Sequence, residues 1–236
     1  MDHSERLLRA AAQVASLRAG IANDRRLRGW SMALKQWQAG RLAATHADLL
    51  GEPRYRSAAR FFLDDLYGAK HFAQRDIELA HVIPTLARRL PDGALATLAD
   101  AVELDALSER LDEAMAGSLR RDDAAGIDEA AYAEAYRGSA SRAEREHQLD
   151  LVLAIGRSLD RLVRGPLLGT LLAAMAGPAR LAGVPTMHDF LVRGFRAFKE
   201  IGGASEFLCR IDARERAILR ELYAGASTGW TRPPAS

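Results

Sequence analysis

Apolar residues recur at three- and four-residue spacing along most of the chain, and no stretch shows the period-two alternation of a half-buried strand. Leu7, Leu8, Ala11, Val14 and Ala15 mark a first helix from Ser4, interrupted at Gly20 and Asn23, where Asn23 is placed to cap the next helix. That second helix, over about 24–49, gathers Leu27, Trp30, Ser31, Leu34, Trp37 and Leu42 near one face. Arg25, Arg28, Lys35 and Arg41 fall on the other face, expected to be solvated. After Gly51-Glu52-Pro53 comes a stretch rich in aromatic residues, 55–76, in which Tyr55, Ala59, Phe62 and Leu66 form one ridge. Phenylalanines on more than one flank predict a short helix enclosed by neighbours, stopped at Gly68.

A helix over 71–90 follows, with a stripe of Phe72, Leu79, Val82, Ile83, Leu86 and Leu90 and a kink predicted at Pro84. Pro91 suits the first turn of the next helix, which runs to about Leu119. There Leu104, Leu107, Leu111 and Met115 share a face, and Asp105, Glu109 and Asp112 lie opposite, expected in solvent. Residues 117–128 read as a polar loop and a candidate sub-boundary. Ser141-x-x-Glu144 is a capping box opening a helix to Arg164. Gly-Pro pairs at 165–166 and 177–178 bound an apolar run too short to span a bilayer, expected to be a buried helix with Gly169, Ala173 and Gly177 as a small-residue face. Two amphipathic helices follow, over 186–201 and 205–223, the second with a capping pattern at Asp212-x-x-Glu215 that predicts a break. The pattern therefore predicts an all-α, single-domain bundle of about nine helices over 1–224, built around a central Phe-rich helix, with 225–236 as a flexible tail.

Composition supports helix: Ala, Leu, Arg and Glu dominate. Net charge is only +2, which gives no global basicity to point to nucleic acid. Charge is segregated, however. Residues 1–60 hold 11 basic and 5 acidic side chains, residues 61–130 hold 7 and 15, and the remainder 15 and 11. Such a distribution can clamp helices within one molecule or join two copies of it, so a homodimer is one expectation. The single Cys209 and the acidic, interrupted N-terminal stretch suggest a cytoplasmic protein.

Phe61-Phe62-Leu63-Asp64-Asp65-Leu66-Tyr67-Gly68, followed by Phe72 and Arg75-Asp76, resembles an uncharacterised bacterial family named for its Phe-Phe-Leu-Glu-Glu-Leu-Tyr (FFLEELY) motif. Ala101-Val-Glu-Leu-Asp-Ala-Leu-Ser-Glu is similar to it as well. Here both acidic motif positions are Asp, one methylene shorter. The resemblance sharpens the expected core and implies no activity.

Two constellations carry candidate chemistry. Asp65, Tyr67, Arg75, Asp76 and Glu103 lie on or beside apolar stripes, and a buried charge persists only when paired. They form either a structural Arg–carboxylate cluster or a polar ligand site. The pairs Glu78-x-x-His81 and Glu144-x-x-His147 echo a di-iron bundle. Both histidines project away from the apolar stripes, so they fail to converge, and no metal or other cofactor is expected. The absence of a nucleophile elbow or a glycine-rich phosphate loop favours a non-catalytic binding or interaction protein, acting on a protein or small-molecule ligand. The alternative is a helical enzyme, metal- or acidic-residue-dependent and oxygenase-like or hydrolytic, using Asp65, Asp76 and Glu103.

Overall fold

A computed structural model of the protein describes residues 2–66, Glu78, Ile83, 90–121 and 126–230. These residues form a single all-α bundle, with no strand among them. Helices α1 (His3–Asn23) and α2 (Arg25–Thr45) lead into the short α3 (Ala47–Gly51) and α4 (Pro53–Arg60), which continues as a π-helical turn, Phe61–Leu66. Then come α5 (Asp92–Arg121), α6 (Glu129–Ser139), α7 (Arg142–Arg164), α8 (Pro166–Leu181), α9 (Pro185–Ile201) and α10 (Ser205–Tyr223). Proline leads α4, α8 and α9, where its missing N–H costs no helical bond.

α5 is the axis of the bundle. At thirty residues it is roughly 45 Å long and packs against α1, α2, α6 and α7. The uneven charge along the chain explains this packing. Arg6 of α1 donates to Asp100 and Glu103 at 2.7 Å, and Arg18 to Asp105 at 2.8 Å and Glu109 at 3.0 Å. The pairs ascend in the same order on both helices, so α1 and α5 run side by side in one direction. α2 returns the other way, tied by Arg120 to Asp24 at its start and by Lys35 to Glu109 at its middle. The basic N-terminal quarter thus clamps the acidic stretch that follows it within one molecule.

Three apolar clusters fill the bundle. One joins α1 and α5 through Leu7, Val14, Leu95 and Val102, with Ile83. A second gathers Tyr55, Ala58, Phe61, Leu153, Phe198 and Phe207. The third joins α1, α2, α5, α6 and α10 around Leu34, Met115, Tyr132 and Trp230. In the second cluster the described start of the Phe-rich segment is enclosed at Tyr55, Ala59 and Phe61, while Phe62 is half-buried; the rest of the ridge and the stop at Gly68 lie outside the described residues. Phe61 packs at a tilt against Phe190, with ring centroids 5.3 Å apart, and lies so close to Gly194 that a Cβ there would sit 2.8 Å from the ring.

Several local expectations need correction. Asp24 caps α2, its carboxylate accepting from the N–H groups of Arg26 and Leu27; Asn23 is still inside α1. The second helix stops at Thr45, and His46 turns the chain before α3. α5 continues to Arg121 through the start of the expected loop, and α6 is a helix the pattern did not predict. The Asp212 break is absent because Asp212 accepts instead from Arg216 one turn on, at 2.6 Å, and Glu215 faces inward. α8 is not a buried helix. The chain bends by 85° between α7 and α8, and Leu167 and Leu181 are 73% and 92% exposed. Gly169 does pack closely, against Phe195. No single helix among the described residues is long and apolar enough to cross a membrane. Beyond α10 the chain returns to the core, with Trp230 2% exposed beside Trp37 and Tyr132.

Candidate functional site

Of the cluster foreseen from the sequence, the Asp65 side chain and residues Tyr67, Arg75 and Asp76 lie outside the described residues. Glu103 is held by Arg6 on both oxygens, at 3.0 and 2.7 Å, with Asp100 sharing the same guanidinium. The Glu-x-x-His residues are dispersed. Glu78 is buried and accepts from the backbone N–H of Met187 at 2.8 Å. Glu144 completes the Ser141 capping box and accepts from Arg110, and His147 is exposed. His81 lies outside the described residues. Among those residues no three His, Cys, Asp or Glu side chains gather as a metal site.

The chemistry concentrates elsewhere. Between the three clusters lies a cavity of about 260 Å³, whose walls come from α2 to α7, α9, α10 and the π-helical turn. Each helix offers residues one turn apart, which is how a single helical face lines a space. α2 supplies Lys35, Gln38 and Arg41, with His46 just beyond it; α5 supplies Asp105, Glu109 and Asp112. Tyr132 and Tyr136 come from α6, Arg145 and Gln148 from α7, and Glu215 from α10. Phe62, Leu63, Phe190 and Phe207 line it as well.

Here the solvated-face assignments fail. Glu109 and Asp112 are only 3% and 9% exposed, and Lys35 and Arg41 turn inward to carboxylates. Lys35 donates to Glu109 at 2.6 Å, Gln38 to Asp112 at 2.9 Å and Arg41 to Glu215 at 2.6 and 2.7 Å. His46 lies 2.9 Å from Glu215 through Nε2. The partners come from elements 74 to 174 residues apart, so one helix alone could not reveal them.

Burial and charge compete at each carboxyl. At Glu215 burial pushes the carboxyl up, but the Arg41 charge and the His46 hydrogen bond outweigh it and hold the group at about 2. At Glu109 burial also pushes up, and Lys35 with Arg18 wins, leaving it below its ordinary value. At Asp112 burial prevails over the Gln38 hydrogen bond and the charges of Lys35 and Arg145, so the carboxyl is raised. Burial likewise raises the phenols of Tyr132 and Tyr136.

Arg145 is the outlier. It is 3% exposed, yet its contacts are neutral: Gln148 at 3.4 Å, Ser139 at 3.3 Å and the Tyr136 ring 4.1 Å from its guanidinium carbon. No carboxylate among the described residues lies within 4.0 Å of it. Among the described residues, four buried polar atoms around the cavity have no hydrogen-bond partner: Arg41 Nε, His46 Nδ1, Glu109 Oε2 and Arg145 Nε. Such atoms cost about 1–3 kcal/mol each, so a set of them around one cavity calls for an explanation.

The family model described as Domain of unknown function (DUF8198) matches residues 18–229. The chain belongs to this family. The DUF8198 match runs from the last turns of α1 to just before Trp230 and contains every residue that lines the cavity. No curated protein and no solved structure matches the chain.

Proposed function

We propose that this DUF8198 protein is a non-catalytic binding protein that holds a small organic molecule in the central cavity. One observation carries the reading: a single space joins phenylalanine and leucine walls to a cluster of buried charges whose hydrogen-bonding capacity is not used up. Mostly apolar concavities with a few converging polar groups are the usual form of a ligand site. At about 260 Å³ the cavity exceeds the roughly 150 Å³ that admits a benzene. A folding core alone gains nothing from the unpaired atoms. The Phe61–Tyr67 segment supports membership of the bacterial family named for FFLEELY, and the single Cys209, which is exposed, supports a reducing, cytoplasmic setting.

Native mass spectrometry of the full chain purified from its own host tests this. A retained molecule, recovered chemically unchanged, is the expected result, and it should be lost from an Ala101→Phe variant that narrows the cavity. A molecule retained equally by that variant would place the binding elsewhere. A ligand-free dimer in the same spectrum would favour a protein-interaction role instead.

A further inference from the structure

We infer that the ligand is an anionic amphiphile, an organic carboxylate whose head meets Arg145 and whose apolar body lies along the opposite half of the cavity. The inference rests on the binding-protein reading and adds the polarity and sign of the molecule.

Polarity follows from the order of residues along the lining helices. α5 and α7 run antiparallel, since Arg110 meets Glu144 and Ser108 meets Gln148. Along α5 the lining residues change from Leu98, Val102 and Leu104 to Glu109 and Asp112, a span of roughly 21 Å. Along α7 they change the other way, from Arg145 to Leu149 and Val152. Because the helices are antiparallel, both gradients point to the same end of the cavity. α10 carries its one charged lining residue, Glu215, between Phe207 and Ile211 on one side and Leu219 on the other, so the polarity is carried by α5 and α7. Along α5 and α7 the cavity therefore runs from an aliphatic end to one that holds Glu109, Asp112 and Arg145, and an amphiphile of one orientation satisfies both.

Sign follows from which charges are already met. Glu109 faces Lys35 and Arg18, and Glu215 faces Arg41 and His46. Asp112 accepts from the neutral Gln38, has no cation within 4.0 Å among the described residues, and burial raises its carboxyl. The Arg145 guanidinium, among the described residues, meets neutral groups within contact distance. Among the described residues, the buried cation of the cavity with no carboxylate within 4.0 Å is Arg145. A planar carboxylate matches a guanidinium edge, and its charge-assisted bonds are stronger than the present 3.3–3.4 Å contacts with neutral groups.

The test compares three probes that share one tail: decanoate, decan-1-ol and decylamine, titrated calorimetrically into the stripped full chain below their aggregation limits at mildly alkaline pH. Decanoate should bind at least about tenfold more tightly than decanol, the range for a hydrogen bond to a charged group, and decylamine least. Arg145→Gln should bring decanoate down to the level of decanol, with decanol binding altered less than about twofold, which a general loss of structure would not produce. If that variant does not fold, the order of the three probes on the native chain decides. Equal binding of all three would sink the carboxylate inference and leave the cavity reading standing. No binding by any of them would overturn both.

Discussion

Replacing Glu215 with Gln removes the carboxylate that, among the described residues, faces the Arg41 guanidinium in the core, where Arg41 Nε already lacks a partner. The structure sets the magnitude. Arg41 and His46 lower the Glu215 carboxyl from an ordinary 4.5 to about 2 against the opposing effect of burial. At about 1.4 kcal/mol per pH unit, that preference for the ionised form is worth about 3 kcal/mol. A carboxyl depressed on folding contributes its stability above its unfolded value and loses it as pH falls, because the unfolded chain takes up the proton first. The contribution is thus complete at neutrality and disappears between about pH 5 and about pH 2. Glu215→Gln, which strands Arg41, should lose about 3–5 kcal/mol at pH 7. The gap to the parent should then narrow as the solution is acidified. Urea unfolding followed by far-ultraviolet circular dichroism across a pH series measures both. A gap that stays constant from neutrality down to the acid limit would mean that Glu215 is not the carboxylate held by Arg41. Adding Arg41→Met to the variant should recover a good part of the loss, because no buried charge is then left alone.

Phe61→Ala should cost about 3–5 kcal/mol in urea unfolding, and more than Phe62→Ala, since Phe61 is buried against Phe190 and Gly194 while Phe62 is half-buried beside the cavity. A larger loss at Phe62 would reverse the assigned orientation of the π-helical turn. Gly194→Ala puts a methyl 2.8 Å from the Phe61 ring and should destabilise by about 1–3 kcal/mol, visible as a lowered Tm. Leu181→Gln should change stability by no more than about 0.5 kcal/mol, because the side chain is almost wholly exposed; a loss of several kcal/mol would return α8 to the core. Ser141→Ala removes the capping hydroxyl of α7 and should cost about 1 kcal/mol, with amide exchange faster in its first turn.

Helical periodicity, capping patterns and composition alone determine the class of this protein. They predict an all-α bundle, the Ser141–Glu144 capping box and the enclosure of the Phe-rich segment, because each depends on residues within a few turns of one another. What they cannot separate is a solvated charge from a buried one. Lys35 and Glu109 lie opposite apolar stripes on their own helices, which is also where exposed residues lie. Only the packing of α2 on a second side of α5 brings them to 2.6 Å. The opposed charges of the first 60 residues and the next 70 were the visible hint, and they foretold attraction without naming partners. α6 escaped notice because its eleven residues depend on Tyr132 and Tyr136 finding Trp37, Trp230 and Tyr223 from distant segments. Likewise, an apolar run such as α8 signals burial by composition, yet an 85° bend at its start leaves Leu167 and Leu181 in solvent. The sequence states which groups must be buried or paired, and the tertiary structure decides with whom, since the pairing energy belongs to contacts made across the chain.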